Sequence, residues 1–145
     1  MELLDELAER RQTIRELAEK YEEIRQRMLS PPSATGTHHY SRTTESRTER
    51  LYSQADEVRG QIIDNLSRLI ELKLELSAAI EQVPNEKYKQ LLFDRYYLGK
   101  KWAQIAHDQD RDIRTMFKTH SIAKKELEAI LNKNAQERGG GDALR

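Results

Sequence analysis

Residues 49–83 read ERLYSQADEVRGQIIDNLSRLIELKLELSAAIEQV, and this stretch decides the fold class. Its apolar side chains recur at alternating spacings of four and three residues, the period of a coiled-coil seam. The seam positions are Leu51, Ala55, Val58, Ile62, Asn65, Leu69, Leu72, Leu76, Ala79 and Val83, and Leu66 and Ile70 widen the stripe beside them. The pattern predicts one long helix over residues 49–83.

Asn65 is the polar residue on that seam. A buried amide at such a position can fix the register or the oligomeric state of a coiled coil at some cost in stability. The alternative is that Asn65 faces a gap or water. The sequence leaves both interpretations open.

The apolar pattern of residues 2–29 predicts another amphipathic helix, which precedes the first in the chain. Its apolar positions are Leu3, Leu7, Ile14, Leu17, Tyr21, Ile24 and Met28, with Arg10 as the polar interruption. Neither helix is stable alone in water, because each would leave a leucine-rich stripe exposed. We therefore expect residues 1–83 to form a long antiparallel helical hairpin, a coiled coil with a second copy of the chain, or both.

Two segments contain almost nothing that folding would bury. The first helix ends at Ser30-Pro31-Pro32-Ser33, because proline lacks an amide donor, and a flexible loop is expected over about 30–48. His38-His39 in this loop has no Cys or acidic partner at ligand spacing, so we expect solvated histidines and no metal site. Residues 134–145 include consecutive glycines and predict a flexible tail.

The composition excludes several classes of function. The chain is 37% hydrophobic and 34% charged and has no cysteine, which favours an all-α protein without disulfides or thiol chemistry. It shows neither a signal-peptide pattern nor an apolar run long enough to span a membrane. It lacks a glycine-rich phosphate loop and the common catalytic motifs, so neither an enzyme nor a cofactor is expected. We expect a soluble, cytoplasmic protein without membrane contact.

The formal net charge of zero is the sum of unlike parts. Residues 1–87 contain 13 Lys/Arg and 17 Asp/Glu, a net charge of −4, whereas residues 88–133 contain 10 and 6, a net charge of +4. Pro84-Asn85 ends the coiled-coil pattern, and the sequence after it is basic and aromatic. A separate domain is therefore predicted over residues 84–133, and its charge suggests a polyanionic partner.

This domain predicts three helices. The first ends at Leu98-Gly99, since Gly is the preferred residue after a helix C-terminus, and the second covers about 102–107. A polar turn over 108–110 precedes the third helix, which covers about 112–127 with Asp112 as a plausible N-cap. The side chains predicted to face inward are Ile105 and Ala106 on the second helix and Ile113, Met116, His120, Ala123 and Leu127 on the third.

The outer side of the third helix is basic and polar. A short helix, a tight turn and a second helix with such a face form the helix-turn-helix arrangement, which enters a DNA major groove. Arg addresses guanine edges, and Lys and Thr reach phosphates or bases; basic residues near helix starts suit phosphate contacts. The predicted DNA-binding residues are Lys100, Lys101, Arg111, Arg114, Thr115, Phe117, Lys118, Ser121 and Lys125.

Two aromatic residues of this segment have competing interpretations. Trp102 is predicted to be a core residue rather than a platform for base stacking. Phe117 either contacts a thymine methyl group or packs on the tail of the first helix of the domain. The alternative for the whole segment is that its three helices cap the coiled coil and that the basic face is only solvated.

Two stretches of the domain resemble a known family. They are Arg95-Tyr-Tyr-Leu-Gly-Lys-Lys-Trp-Ala-Gln-Ile-Ala and Arg114-Thr-Met-Phe-Lys-Thr-His-Ser-Ile-Ala. They resemble region 4 of sigma-70-type factors and, more closely, small phage-encoded regulators of the late-gene activator type that carry this region behind a helical half. The resemblance covers roughly residues 88–131. It fails at Gln109 and Asp110, where the family usually has an apolar residue and then Gly, and this predicts a looser turn.

The resemblance implies a sigma region 4-like helix-turn-helix and a sequence-specific transcriptional regulator, encoded by a phage or prophage and acting in the host bacterial cytoplasm. The implied partner is double-stranded DNA. The coiled coil would supply a homodimer contact or a contact with RNA polymerase. Two other hypotheses are a DNA-packaging or assembly adaptor of the small-terminase kind, which oligomerises through the coiled coil, and an interaction protein that binds RNA polymerase without DNA.

Overall fold

Five α-helices and one π-helical turn make up the computed structural model, which describes residues 2–30 and 41–143. The helices are α1 (Leu3–Leu29), α2 (Ser41–Glu81), α3 (Glu86–Leu92), α4 (Trp102–Asp108) and α5 (Ile113–Ala143), with the π-helical turn at Phe93–Tyr97. For residues 41–45 and 139–143 the backbone alone is described. The described residues contain no β-strand, and the predicted all-α class is confirmed.

Two helices extend beyond the predicted limits. α2 begins at Ser41, so residues 41–48 are helical where the sequence predicted loop. This segment contains neither Pro nor Gly, and extending an existing helix adds one hydrogen bond for each residue that is ordered. Residues 31–40, with His38-His39, lie outside the described residues.

The predicted tail at 134–145 is also helical as far as Ala143, where the described residues end. Contacts with α2 and the residue after it account for part of this extension. Gln82 Nε2 donates to Asn134 Oδ1 at 3.5 Å, and the Arg138 guanidinium pairs with the Glu75 carboxylate. These contacts join residues far apart in the sequence, which local composition does not reveal.

Contacts divide the chain into two units, each with its own packing. The N-terminal unit is Asp5–Ile70, and the C-terminal unit comprises Met1–Leu4 and Glu71–Arg145. The boundary falls within α2, so this helix contributes to both units. The domain boundary predicted at residue 84 stays a prediction, and the contacts divide α2 at residue 71.

The core of the N-terminal unit forms where α1 and α2 pack in opposite directions. Ile24 from α1 is buried with Leu51, Ala55 and Val58 from α2. Leu17, Tyr21, Met28 and Ile62 pack around this cluster and are partly buried. All these residues belong to runs spaced three or four apart on their own helix, which is how each helix keeps one stripe towards the other.

A polar layer interrupts this apolar seam. Arg10 Nη1 donates to Asn65 Oδ1 at 3.0 Å, and Asn65 Nδ2 donates to the Gln61 carbonyl at 2.8 Å. Beside it, Arg68 donates two hydrogen bonds to the Glu6 carboxylate, at 2.8 and 2.9 Å, and these lower the pKa of Glu6. The polar interruptions of the two helices thus meet each other, which favours the interpretation of Asn65 as a register-fixing residue.

Part of the apolar surface of α2 remains uncovered in the N-terminal unit. Leu66 and Ile70, which the sequence placed beside the seam, are 41% and 58% exposed, and Ile63 is 55% exposed. These residues are not covered by α1. Contact with α1 therefore buries only one of the two apolar stripes that α2 carries.

The core of the C-terminal unit brings three helices together. Leu91 of α3, Ile105 and Ala106 of α4 and Met116 of α5 form one buried cluster, against which Trp102 packs. Ala123 and Leu127 of α5 are also fully buried. The inward positions predicted on α4 and α5 are therefore confirmed with one exception. Ile113 is 40% exposed, because it is the first residue of α5 and precedes the turn that reaches the cluster.

The chain leaves α3 through a widened turn and reverses at a glycine. The Leu98 amide donates to the Phe93 carbonyl at 2.9 Å, and the Lys100 amide donates to the Asp94 carbonyl at 3.0 Å. Gly99 lies between these two bonds with φ 71°, a left-handed conformation that costs side-chain-bearing residues free energy. The predicted glycine stop therefore has a conformational cause.

Gly99→Ala should lower the free energy of unfolding by about 1 kcal/mol, because alanine is strained at a positive φ. Gly60→Ala is the matched control. Gly60 is helical and an added methyl group would meet no atom within 4 Å, so this change should raise stability by about 0.5–1 kcal/mol. Urea unfolding followed by circular dichroism measures both. A Gly99→Ala protein as stable as the wild type would contradict the conformational argument.

Candidate nucleic-acid interface

The connection between α4 and α5 is closed by main-chain hydrogen bonds. The Arg111 amide donates to the Ala106 carbonyl at 2.9 Å, and the Asp110 amide donates to the His107 carbonyl at 3.2 Å. This is the pairing of a Schellman motif, whose left-handed residue is Asp110 with φ 50°. Asp110 thus adopts a left-handed conformation, which Gly adopts more readily than Asp. The looser turn predicted from its presence is wrong, because both closing hydrogen bonds are made.

The outer face of α5 carries most of the predicted DNA-binding side chains. Arg114, Thr115, Phe117, Lys118, Ser121 and Lys125 are all exposed. The residues from Ile113 to Lys125 include no Asp or Glu. Among the described residues, Arg114, Lys118 and Lys125 have no hydrogen-bond or ion-pair partner, so their charges are directed to solvent. The structure therefore places these six residues on one exposed, cationic surface, which we call the α5 face.

The three basic residues near the helix starts differ in their surroundings. Lys101 is exposed immediately before α4, and Arg111 is half-buried just before α5. Lys100 is half-buried, and its Nζ lies 3.3 Å from Asp108 Oδ2 and 3.8 Å from Asp94 Oδ1. Its charge is therefore matched within the protein, and Lys100 does not belong with the unpaired cations of the α5 face.

An aromatic cluster supports the first turns of α5. The Trp102 ring contacts His120 with 4.5 Å between ring centroids and Phe117 with 5.3 Å, both edge to face. The Arg95 guanidinium lies over the same indole at 4.6 Å, and its Nη1 donates to the Lys100 carbonyl at 3.0 Å. Trp102 is thus mainly a core residue, as the sequence predicted. It joins α4, α5 and the π-helical turn.

His120 forms the inner end of this cluster. A hydrogen bond of 2.6 Å joins its Nε2 to the Tyr96 hydroxyl. Burial lowers the pKa of His120 below the ordinary value of 6.5, and the positive charges of Lys124 and Arg95 lower it further. The neutral imidazole is therefore the form that the folded unit favours.

Asp94 is the buried acidic residue that sequence reasoning missed. It is 4% exposed, and Gln90 Nε2 donates to its Oδ1 at 2.9 Å, while Gln109 Nε2 donates to its Oδ2 at 3.4 Å. Together with Lys100, these donors surround the carboxylate. The sequence did contain a signal for its burial, because Asp94 directly follows Leu91-Leu-Phe, an apolar run expected to face the core. Gln109, which departs from the family pattern, thus has a partner inside the protein.

Asp94→Ala should lower the free energy of unfolding of the C-terminal unit by about 2 kcal/mol, the usual range for hydrogen bonds to a buried charged group. Asp108→Asn is the control, because Asp108 is exposed and its ion pair with Lys100 contributes little. Chemical denaturation of both variants measures the difference. Equal stability of the two variants would show that the buried carboxylate does not hold α3 and α4 together.

Acidification should destabilise the C-terminal unit through His120. Its pKa is lower in the folded state, so the unfolded chain takes up the proton first. The stabilising effect is present in full above the ordinary pKa of 6.5 and is lost as pH falls towards the folded-state pKa. His120→Gln should reduce this loss between about pH 8 and about pH 5, whereas His107→Gln, at an exposed position, should not. Thermal melting across this range measures the pH dependence of stability. If His120→Gln shows the same pH dependence as the wild type, the prediction is wrong.

Comparison of the chain with protein-family models, with curated proteins and with solved structures finds no match. Among residues 2–30 and 46–138, no group of three or more His, Cys, Asp or Glu side chains could hold a metal ion. In the part of the chain that the structure describes, no helix has the length and apolarity required to cross a membrane.

Proposed function

We propose that the protein is a sequence-specific DNA-binding regulator of transcription, which inserts the α5 face into the major groove. The observation that carries this proposal is the set of unpaired cations at Arg114, Lys118 and Lys125 on a helix face without acidic residues. Arg114 would address guanine, and Lys118 and Lys125 would contact phosphates or bases. The resemblance to region 4 of sigma-70-type factors and to phage-encoded regulators supports the same function.

The contrast between inward and outward cations supports this proposal. Lys100 and Arg95 lie at the same end of the unit and are engaged by Asp94, Asp108 and the Trp102 ring. The cations of the α5 face have no such partners among the described residues. A face that served only for solubility would usually mix charges of both signs. Lys101 and Arg111 flank the face and are further candidates for phosphate contacts.

We also propose that two copies of the chain bind together, one at each half of a DNA site. One helix of this size makes few base contacts, and two linked half-sites increase the affinity. The exposed Ile63, Leu66 and Ile70 on α2 support pairing with a second copy, since apolar side chains in a row are usually covered. Contact of the N-terminal unit with RNA polymerase is the alternative role of that surface.

Fluorescence anisotropy with duplex DNA, across a salt series, tests the proposal. The wild type should bind a motif enriched from a genomic-fragment library, with two chains for each site. Arg114→Ala/Lys118→Ala should weaken binding to that motif by about tenfold or more, because each base or phosphate contact contributes of the order of 1 kcal/mol. The slope of log affinity against log salt should fall by up to about 2.

Lys20→Ala/Lys87→Ala is the matched control, because it removes two exposed cations that lie outside the α5 face. Its binding should equal that of the wild type. Equal losses in both double variants would indicate non-specific attraction of the whole chain. If the wild type binds no duplex above background at low salt, the proposed function is wrong. A ring of many chains on the DNA would instead support a packaging or assembly adaptor.

A further inference from the structure

Phe117 is the most open aromatic side chain of the C-terminal unit. It is 48% exposed, whereas the other aromatic residues, Tyr88, Phe93, Tyr96, Tyr97 and Trp102, are partly buried. Transfer of a phenyl ring out of water is favourable, so exposure on this scale leaves stabilisation unused. A ring needed only to complete the core would be expected to be covered more fully.

One side of the Phe117 ring nevertheless packs against the aromatic cluster of the C-terminal unit. Its contact is with Trp102 at 5.3 Å, and Trp102 itself lies between Arg95 at 4.6 Å and His120 at 4.5 Å. Because His120 is hydrogen-bonded to Tyr96, the support continues to the π-helical turn. Phe117 therefore presents a pre-positioned apolar surface, and ordering it on binding costs little conformational entropy.

Phe117 has two polar neighbours on the α5 face, and the exposed Ile113 stands four residues before it on the same helix. Arg114 stands three residues before it and Ser121 four residues after it, spacings that place side chains side by side on a helix. The face thus sets an exposed aromatic ring beside hydrogen-bond donors. In the major groove, base edges present acceptors and donors, and the 5-methyl group of thymine is the one apolar feature.

We propose that Phe117 is a specificity-determining residue that contacts the 5-methyl group of a thymine. The inference rests on the proposed function. It adds that Phe117 makes the protein prefer thymine at one position of the DNA site. Trp102 acts as a positioning residue because its ring packs directly against Phe117, and Arg95 acts through Trp102, over whose ring it lies.

The test uses the full-length chain and the enriched motif in which each thymine in turn is replaced by deoxyuridine, which lacks only the methyl group. At one position the wild type should lose about fourfold in affinity, the amount expected for one buried methyl group. Phe117→Ala should bind the unmodified motif more weakly and should be insensitive to deoxyuridine at that position. Phe117→Leu, which keeps an apolar side chain, should retain part of the sensitivity.

Ile122→Ala is the control, since Ile122 is a comparably exposed apolar residue on the same helix. It should keep the full fourfold sensitivity, and thermal melting confirms that each variant is folded. The assignment is wrong if no deoxyuridine replacement lowers the affinity of the wild type. It is also wrong if a replacement lowers the affinity of Phe117→Ala as much as that of the wild type. These results leave DNA binding itself intact, whereas absence of any duplex binding would overturn the proposed function as well.

Discussion

The carboxylate of Asp94 lies among donors from three different segments of the C-terminal unit. Gln90 reaches it from α3, Lys100 from the residues before α4, and Gln109 from the residue after α4. A charge removed from water must be matched locally, so these segments can fold only in the arrangement that brings their donors together. The start and the end of α4 are therefore both held to the π-helical turn, and this arrangement determines where α5 begins.

The C-terminal unit separates its cations into two groups. Lys100 and Arg95 are held by carboxylates, a carbonyl and an indole ring, and they stabilise the fold. Arg114, Lys118 and Lys125 have no partners among the described residues, because the inner side of α5 is occupied by apolar contacts. An exposed cation keeps its hydration and its reach until an anion arrives. The cations that stabilise the fold and the cations exposed on the α5 face are thus separate sets of residues.

Periodicity predicted the features that depend on local sequence. Helical spacing identified Ile105, Met116 and Leu127 as inward residues, and the α5 face follows as their opposite. Periodicity could not predict features that depend on contacts between residues far apart in the sequence. These features include the surroundings of Asp94 and the helical continuation of residues 134–143. α2 carries apolar residues on two sides, and the sequence does not reveal which side meets α1. The DNA-binding role of the α5 face stays a prediction, since exposure alone does not identify a ligand.

The polar layer of the N-terminal unit constrains how the lengths of α1 and α2 can change during evolution. Arg10 and Asn65 face each other at one level of an otherwise apolar seam. Deleting one heptad between Arg10 and the end of α1 would move the guanidinium along the seam to the level of Val58, where no acceptor replaces the amide. A compensating deletion in α2 would restore the match. Viable length variants of this pair should therefore gain or lose heptads in both helices together.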